Sequence, residues 1–197
     1  VKKHIFSLFT LVFVLGFSIS FLHAQETDMS SKVKRIFNDI GMNTQISGPF
    51  RDGEFIDQRT NEPFFLKNFY DEKFQLISFG ATWCPPCIEE LPTLQRLTDE
   101  LSDEKEYFAY HMVYVQENKN AVSNFLAQYD YSFTNLRDES GTRALQNNVR
   151  GIPTTFLIDP DGNIVFSFFG GNDWGKSSIV MAIRNAINTW WDLEPYS

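Results

Sequence analysis

The sequence predicts an α/β fold: one domain with a central mixed β-sheet flanked by helices and extended on its N-terminal side by a hairpin. Three observations carry this. Strand-like and helix-like patterns alternate from Leu76 to Val149, which predicts parallel pairing. Two apolar runs then flank Asp159-Pro160-Asp161-Gly162-Asn163, turn chemistry that predicts an antiparallel hairpin. Hydrophobic residues make up 43% of the 197, with 20 Phe, 7 Tyr and 4 Trp, enough apolar area for a core that needs neither metal nor structural disulfide.

The elements follow in order. Val33, Ile36, Phe37 and Ile40 fall at helical spacing and Gly41 stops them, so residues 25–47 read as a polar linker and a short amphipathic helix, ahead of a domain over 48–197. Phe55-Ile56 and Phe64-Phe65-Leu66 flank the turn-like stretch from Gln58 to Glu62, which predicts the hairpin extension. Leu76 to Ala81 reads as a buried strand. Residues 85–101 place Ile88, Leu91, Leu94, Leu97 and Leu101 on one helical face, with Pro92 inside as a kink. Tyr107 to Val115 reads as a strand, Ala121 to Tyr129 and Arg143 to Val149 as helices. Thr154 to Ile158 and Ile164 to Phe169 form the second hairpin, and a last helix over Ser177 to Trp191 aligns Ile179, Ile183, Ala186, Ile187 and Trp190.

The first 24 residues differ from the rest. Lys2 and Lys3 open the chain, an uncharged apolar stretch runs from Ile5 to Leu22, and Ala24 precedes the polar run from Gln25 to Asp28. That layout predicts export, with residues 1–24 either a cleaved signal peptide or a retained anchor over residues 5–22. The body then lies in the bacterial cell envelope or periplasm. Net charge is −8, from 17 Lys and Arg against 25 Asp and Glu. Such a surface repels phosphate backbones, which excludes nucleic acid as a partner, and it disfavours acidic lipid surfaces.

The chemistry concentrates at Cys84 and Cys87, the only cysteines, where a predicted buried strand meets a predicted helix start. Unpaired N–H groups and the positive end of a helix dipole stabilise a thiolate there, so Cys84 is the expected nucleophile. One turn on, Cys87 is close enough to close a disulfide and resolve a mixed one. A zinc site would need more ligands than these thiols and His111. Haem attachment fails because residue 88 is Ile, and a structural disulfide over so short a loop adds little. No cofactor is called for. Pro85 and Pro86 between the cysteines lack N–H donors, which stabilises the thiolate less and leans the pair toward a reductant, unless the prolines serve only to fix the helix start.

The run Phe79-Gly80-Ala81-Thr82-Trp83-Cys84-Pro85-Pro86-Cys87 resembles the thioredoxin superfamily, specifically its exported TlpA-like thiol-disulfide proteins, which include cytochrome c maturation reductants. Pro92 matches that family's kink proline, Gly151-Ile152-Pro153-Thr154-Thr155 its cis-proline loop, and Asp159-Pro160-Asp161-Gly162 the hairpin that follows. The resemblance covers about residues 48–191 and implies a thioredoxin-like fold. It also implies a cis Pro153 beside the disulfide, with the backbone of Ile152 free to pair with an extended substrate and with Trp83, Pro85 and Pro86 framing the site. Trp83 is expected to be a packing residue and lid beside the disulfide, not a chemical participant, and Trp174, Trp190 and Trp191 to serve core or surface packing.

One departure matters. Thioredoxin's buried Asp before the motif is Ser78 here, which exchanges no proton at useful pH. Glu90, three residues after Cys87 on the same helical side, is the expected proton relay, against the plain reading of a solvated acid at a helix start. The implied function is reduction of disulfide-containing envelope proteins, apocytochrome c among the candidates, with re-reduction by a membrane thiol electron donor. A disulfide oxidant or isomerase and a non-catalytic peptide-binding module stay open. Peroxide reduction does not fit, because Ala81 stands where peroxiredoxins use Thr. Oligomeric state is not legible.

Overall fold

The structure, a computed structural model, describes residues 29–42 and 45–193. The expected signal over residues 1–24 lies outside the described residues, and among these no helix is long and apolar enough to cross a membrane. Helix α1 (29–39) leads into a hairpin of β1 (Phe55–Asp57) and β2 (Pro63–Phe64), with Phe55 opposite Phe64. Then follow β3 (Phe74–Gly80), α2 (Pro85–Glu100), β4 (Phe108–Val115), α3 (Lys119–Leu126), β5 (Thr134–Asp138), α4 (Thr142–Gln146), β6 (Thr154–Ile158), β7 (Ile164–Phe169) and α5 (Ser177–Trp191).

The strands form one seven-stranded sheet in the order β2-β1-β5-β4-β3-β6-β7. Strand β4 runs parallel to β3 and β5, while β6 and β1 pair antiparallel at either side, so the sheet is mixed as the sequence predicts. Alternation along β3 sends Leu76 into a core with Phe37 of α1, Leu91 and Leu94 of α2, Phe125 of α3 and Ile183 of α5. Ile77 and Phe79 face the opposite core with Phe50, Leu66, Ala144 and Phe156. Seven consecutive buried residues make β3 the strand on which the site is mounted.

Several predicted elements shift at their ends, and three show why. Strand β3 starts at Phe74, two residues early, because the Phe74 N–H bonds the Tyr107 carbonyl at 2.8 Å and extends the ladder. Helix α3 starts at Lys119, where the Asn118 side chain accepts from the Ala121 N–H at 3.0 Å and caps it. Helix α4 ends at Gln146 instead of Val149, because Asn148 turns left-handed at φ 57°. Strand β5 has no counterpart in the sequence reading. Its sequence, Thr-Asn-Leu-Arg-Asp, holds a single apolar residue, yet Leu136, Arg137 and Asp138 are all buried. Arg137 donates to Gln58 at 2.5 Å, to Asn61 at 2.8 Å and to Glu139 at 2.8 Å, so its charge is paired within the fold.

Helix α1 packs Phe37 on Phe166 of β7 at 5.0 Å between ring centroids. At its start the Ser30 hydroxyl donates to the buried Asp159 carboxylate, at the end of β6 remote from the cysteines.

Candidate functional site

Parallel strands β3, β4 and β5 end together at Gly80, Val115 and Asp138, and the chain leaving β3 reaches Cys84 within four residues. Open α/β sheets place their sites at such carboxyl ends. Cys84 is the N-cap of α2, Pro85 and Pro86 occupy its first positions, and Cys84 and Cys87 form a disulfide with Cα atoms 5.3 Å apart. The Ile88 N–H bonds the Cys84 carbonyl at 3.1 Å. With both prolines lacking a donor, the Cys87 N–H is the first-turn donor left without a backbone partner among the described residues. Both cysteines are buried, Cys84 at 4% exposure and Cys87 at 1%.

Ile152 and Gly80 pack around the disulfide, and Ser78 lies on the strand that leads to it. Ile152 lies against Ala81, Cys84 and Cys87, and the Ile152-Pro153 bond is cis. Gly80 admits Cys87: a Cβ built there would sit 3.2 Å from the Cys87 Sγ and 2.6 Å from the Met112 Cε, so only glycine fits without displacement. Ser78, on the α2 face of β3, shares a 2.8 Å hydrogen bond with Thr155 and is buried, so no carboxylate stands at that position.

Glu90 is no solvated acid. It is 2% exposed, and its Oε2 accepts from the Trp174 indole N–H at 3.0 Å and the Asn172 N–H at 3.4 Å. Its Oε1 has no partner. Burial pushes its pKa up to about 7 against the opposing pull of those two donors. A carboxyl group poised there exchanges a proton at neutral pH.

One expectation about the tryptophans is corrected and one extended. Trp83 is 70% exposed, so it stands out from the turn into solvent and is not the packed lid that was expected. Trp174 does more than pack: it is fully buried against Phe166 and Phe168 and hydrogen-bonds Glu90. Trp190 and Trp191 do pack, both edge-on to Phe74.

Glu117 was not singled out in the sequence. Its carboxylate accepts from the Thr82 N–H at 2.8 Å and the Thr82 hydroxyl at 2.5 Å, fixing the turn that precedes Cys84. An acid just past the carboxyl end of a parallel strand was the available signal. Gly80, a glycine closing an apolar run directly before the motif, was another. His111 is remote from the cysteines in the chain and buried beside Phe64, with its pKa lowered by burial to about 3. Among the described residues no cluster of His, Cys, Asp and Glu is arranged to hold a metal.

The Redoxin family model matches residues 46–183. Thioredoxin-like protein YneN of Bacillus subtilis is 35% identical over 89 residues, 45% of this chain and 52% of that protein. Thiol-disulfide oxidoreductase ResA of Bacillus thuringiensis is 35% identical over 101 residues, 51% of this chain and 56% of the relative. The chain thus spans about half the length of the curated relatives it matches. The thioredoxin domain of a thiol-disulfide oxidoreductase from Bacteroides vulgatus superposes with a TM-score of 0.61 over 74% of this chain and 100% of its own, at 17% identity, a likeness of fold alone.

Proposed function

Because the chain belongs to the Redoxin family, we propose that it is an exported thiol-disulfide oxidoreductase of the cytochrome c maturation type that reduces disulfides of envelope proteins through Cys84 and Cys87. The observation that carries the reading is the disulfide set on the N-terminus of α2, with Cys84 as the cap residue.

In the dithiol form the Cys84 thiolate attacks a substrate disulfide. A mixed disulfide forms and one substrate sulfur leaves as a thiolate. Glu90 takes the proton of Cys87, directly or through water, and the Cys87 thiolate attacks the Cys84 Sγ. The second substrate thiolate leaves, so the substrate gains two electrons and the protein closes its disulfide. Ile152, ahead of the cis proline, offers backbone to an extended substrate, and Trp83, Pro85 and Pro86 form the exposed rim. A membrane thiol donor restores the dithiol, since an oxidising envelope does not maintain one. Pro85 and Pro86 withhold donors from Cys84, which supports the reducing direction.

The test is a trap. Cys87→Ser removes the resolving thiol, so mixed disulfides with envelope proteins accumulate and are released by reductant for identification. Cys84→Ser traps almost nothing. The opposite pattern, with Cys84→Ser the better trap, overturns the assignment of nucleophile.

A further inference from the structure

On the far side of the cis-proline loop from α2 lies a groove of about 490 Å³, bordered by Gln45 and Ile46, Asn148 and Arg150, and Phe169. Its walls are fixed. The N–H groups of Gln45 and Ile46 donate to the Ser167 hydroxyl at 3.1 and 2.9 Å, which holds that segment on the edge strand β7. Phe169 is the register partner of Thr154, and the Gly170 N–H bonds the Pro153 carbonyl at 2.9 Å. The groove and the disulfide are therefore two sides of one loop, since Ile152, two residues after Arg150, packs on Cys84 and Cys87. An extended chain advances about 3.3 Å per residue, so a segment lying along Ile152 with its sulfur at Cys84 carries residues two or three positions away over the groove.

The lining has a definite chemistry. Phe169 is 38% exposed and, with Ile46, offers an apolar floor. Arg150 is exposed, and the ion pairs among the described residues go instead to Arg96, Arg137 and Arg184. No acid lines the groove among the described residues, although the chain as a whole carries −8. On the α2 side of the disulfide, the groove beside Pro86 holds Glu89, Glu90 and Asp173, with Lys176 and the Arg96 pair to Asp173 offsetting part of that charge. An unpaired guanidinium over an apolar floor takes a carboxylate next to an apolar side chain.

We infer that this groove is a specificity subsite for an acidic residue two or three positions from the substrate cysteine. The inference rests on the oxidoreductase reading for the identity of the segment, and it adds what that reading lacks, a sequence preference in the substrate. The preference runs against the protein's overall charge, which a salt-screened local contact permits because general repulsion fades beyond about 8 Å at physiological ionic strength.

The test uses two peptides with Ser in place of cysteine, identical except for Asp or Lys three residues to either side. They are titrated into the full chain in its disulfide form, with binding followed through amide chemical shifts. The Asp peptide should bind about fivefold tighter, as expected for an exposed ion pair. Its contact shifts should fall on Arg150 and Phe169. Arg150→Ala should abolish the preference and Arg150→Glu reverse it. Equal affinity for the two peptides, or shifts that miss the groove, overturns the inference. Because these peptides carry no sulfur, the outcome is independent of thiol chemistry. Reduction of the small neutral disulfide dithiodipyridine by the dithiol form tests that chemistry separately, and its failure would remove the redox reading while an Asp preference still locates the groove.

Discussion

The indole N–H of Trp174 donates to the Oε2 of Glu90 at 3.0 Å, across a sequence separation of 84 residues. It stabilises the charged carboxylate against the cost of burial, and so holds the acid near neutrality. Trp174→Phe keeps the ring and removes the donor. A hydrogen bond to a charged group contributes about 1.5 to 3 kcal/mol, so the midpoint of the pH-rate profile for disulfide exchange should move up by about one pH unit or more. Stopped-flow exchange with a neutral disulfide from pH 5 to 10 measures it. A loss of stability with an unmoved midpoint would make Trp174 a packing residue after all.

Glu90→Gln should slow exchange near pH 7 and remove that midpoint from the profile. It should also alter stability in a defined direction. The folded-state pKa is raised from 4.5 to about 7, so the folded chain keeps a proton that the unfolded chain gives up between these values. Stability from this group is fully present below pH 4.5 and is lost as pH rises through 7, by about 3 kcal/mol in total. Urea midpoints for the wild type should fall between pH 4.5 and 8 relative to those of Glu90→Gln; parallel curves would show that Glu90 ionises as freely folded as unfolded.

What the sequence disclosed and what it withheld divide by distance along the chain. The hairpin of β6 and β7 and the helix α5 lie where turn residues and 3.6-residue spacing put them, because both signals are local. The pairing of Cys84 with Cys87 and the proline after Ile152 sit in short motifs and were equally visible. Strand β5 was invisible because Arg137 and Asp138 are acceptable in a core only once Gln58, Asn61 and the Ala144 N–H arrive to pair with them. Glu90 could be located but not described. Its burial depends on Trp174, and its neighbour Glu89, identical in composition and one position earlier, is exposed.

Glu117 offers a way to loosen the turn before Cys84 without touching the cysteines. Glu117→Ala leaves the Thr82 N–H without its acceptor and should destabilise the fold by about 1 to 3 kcal/mol. It should also speed alkylation of Cys84 in the dithiol form by freeing the turn. Glu117→Gln keeps a side-chain oxygen for the same N–H and should recover most of the loss. Thermal melts and timed alkylation read the two effects, and equal behaviour of the two variants would show that the carboxamide cannot replace the carboxylate.

His111 contributes to the acid limb of stability. Both of its ring nitrogens lack partners, and burial, reinforced by Lys73, lowers its pKa from 6.5 to about 3. The folded chain therefore resists a proton that the unfolded chain accepts. Stability from this source is present above pH 6.5 and is lost as pH falls through 3. His111→Leu should be neutral or stabilising by about 1 kcal/mol at pH 7, where it removes a buried polar ring, and should flatten the fall in urea midpoint below pH 6. A variant that loses stability at pH 7 and keeps the wild-type acid slope would contradict this account.

The contact between Ser30 and Asp159 also sets which way the protein faces. Asp159 follows β6 at the end where Ile158 pairs with Gln75, whereas Cys84 follows β3 at its other end, beyond Phe79 and its partner Thr154. The seven residues of β3, about 20 Å of strand, lie between those two poles. The polypeptide enters the folded body at one pole and presents its sulfurs at the other. Were the segment before Ser30 to fasten the protein to a surface, the disulfide would point outward from it like a reaching arm.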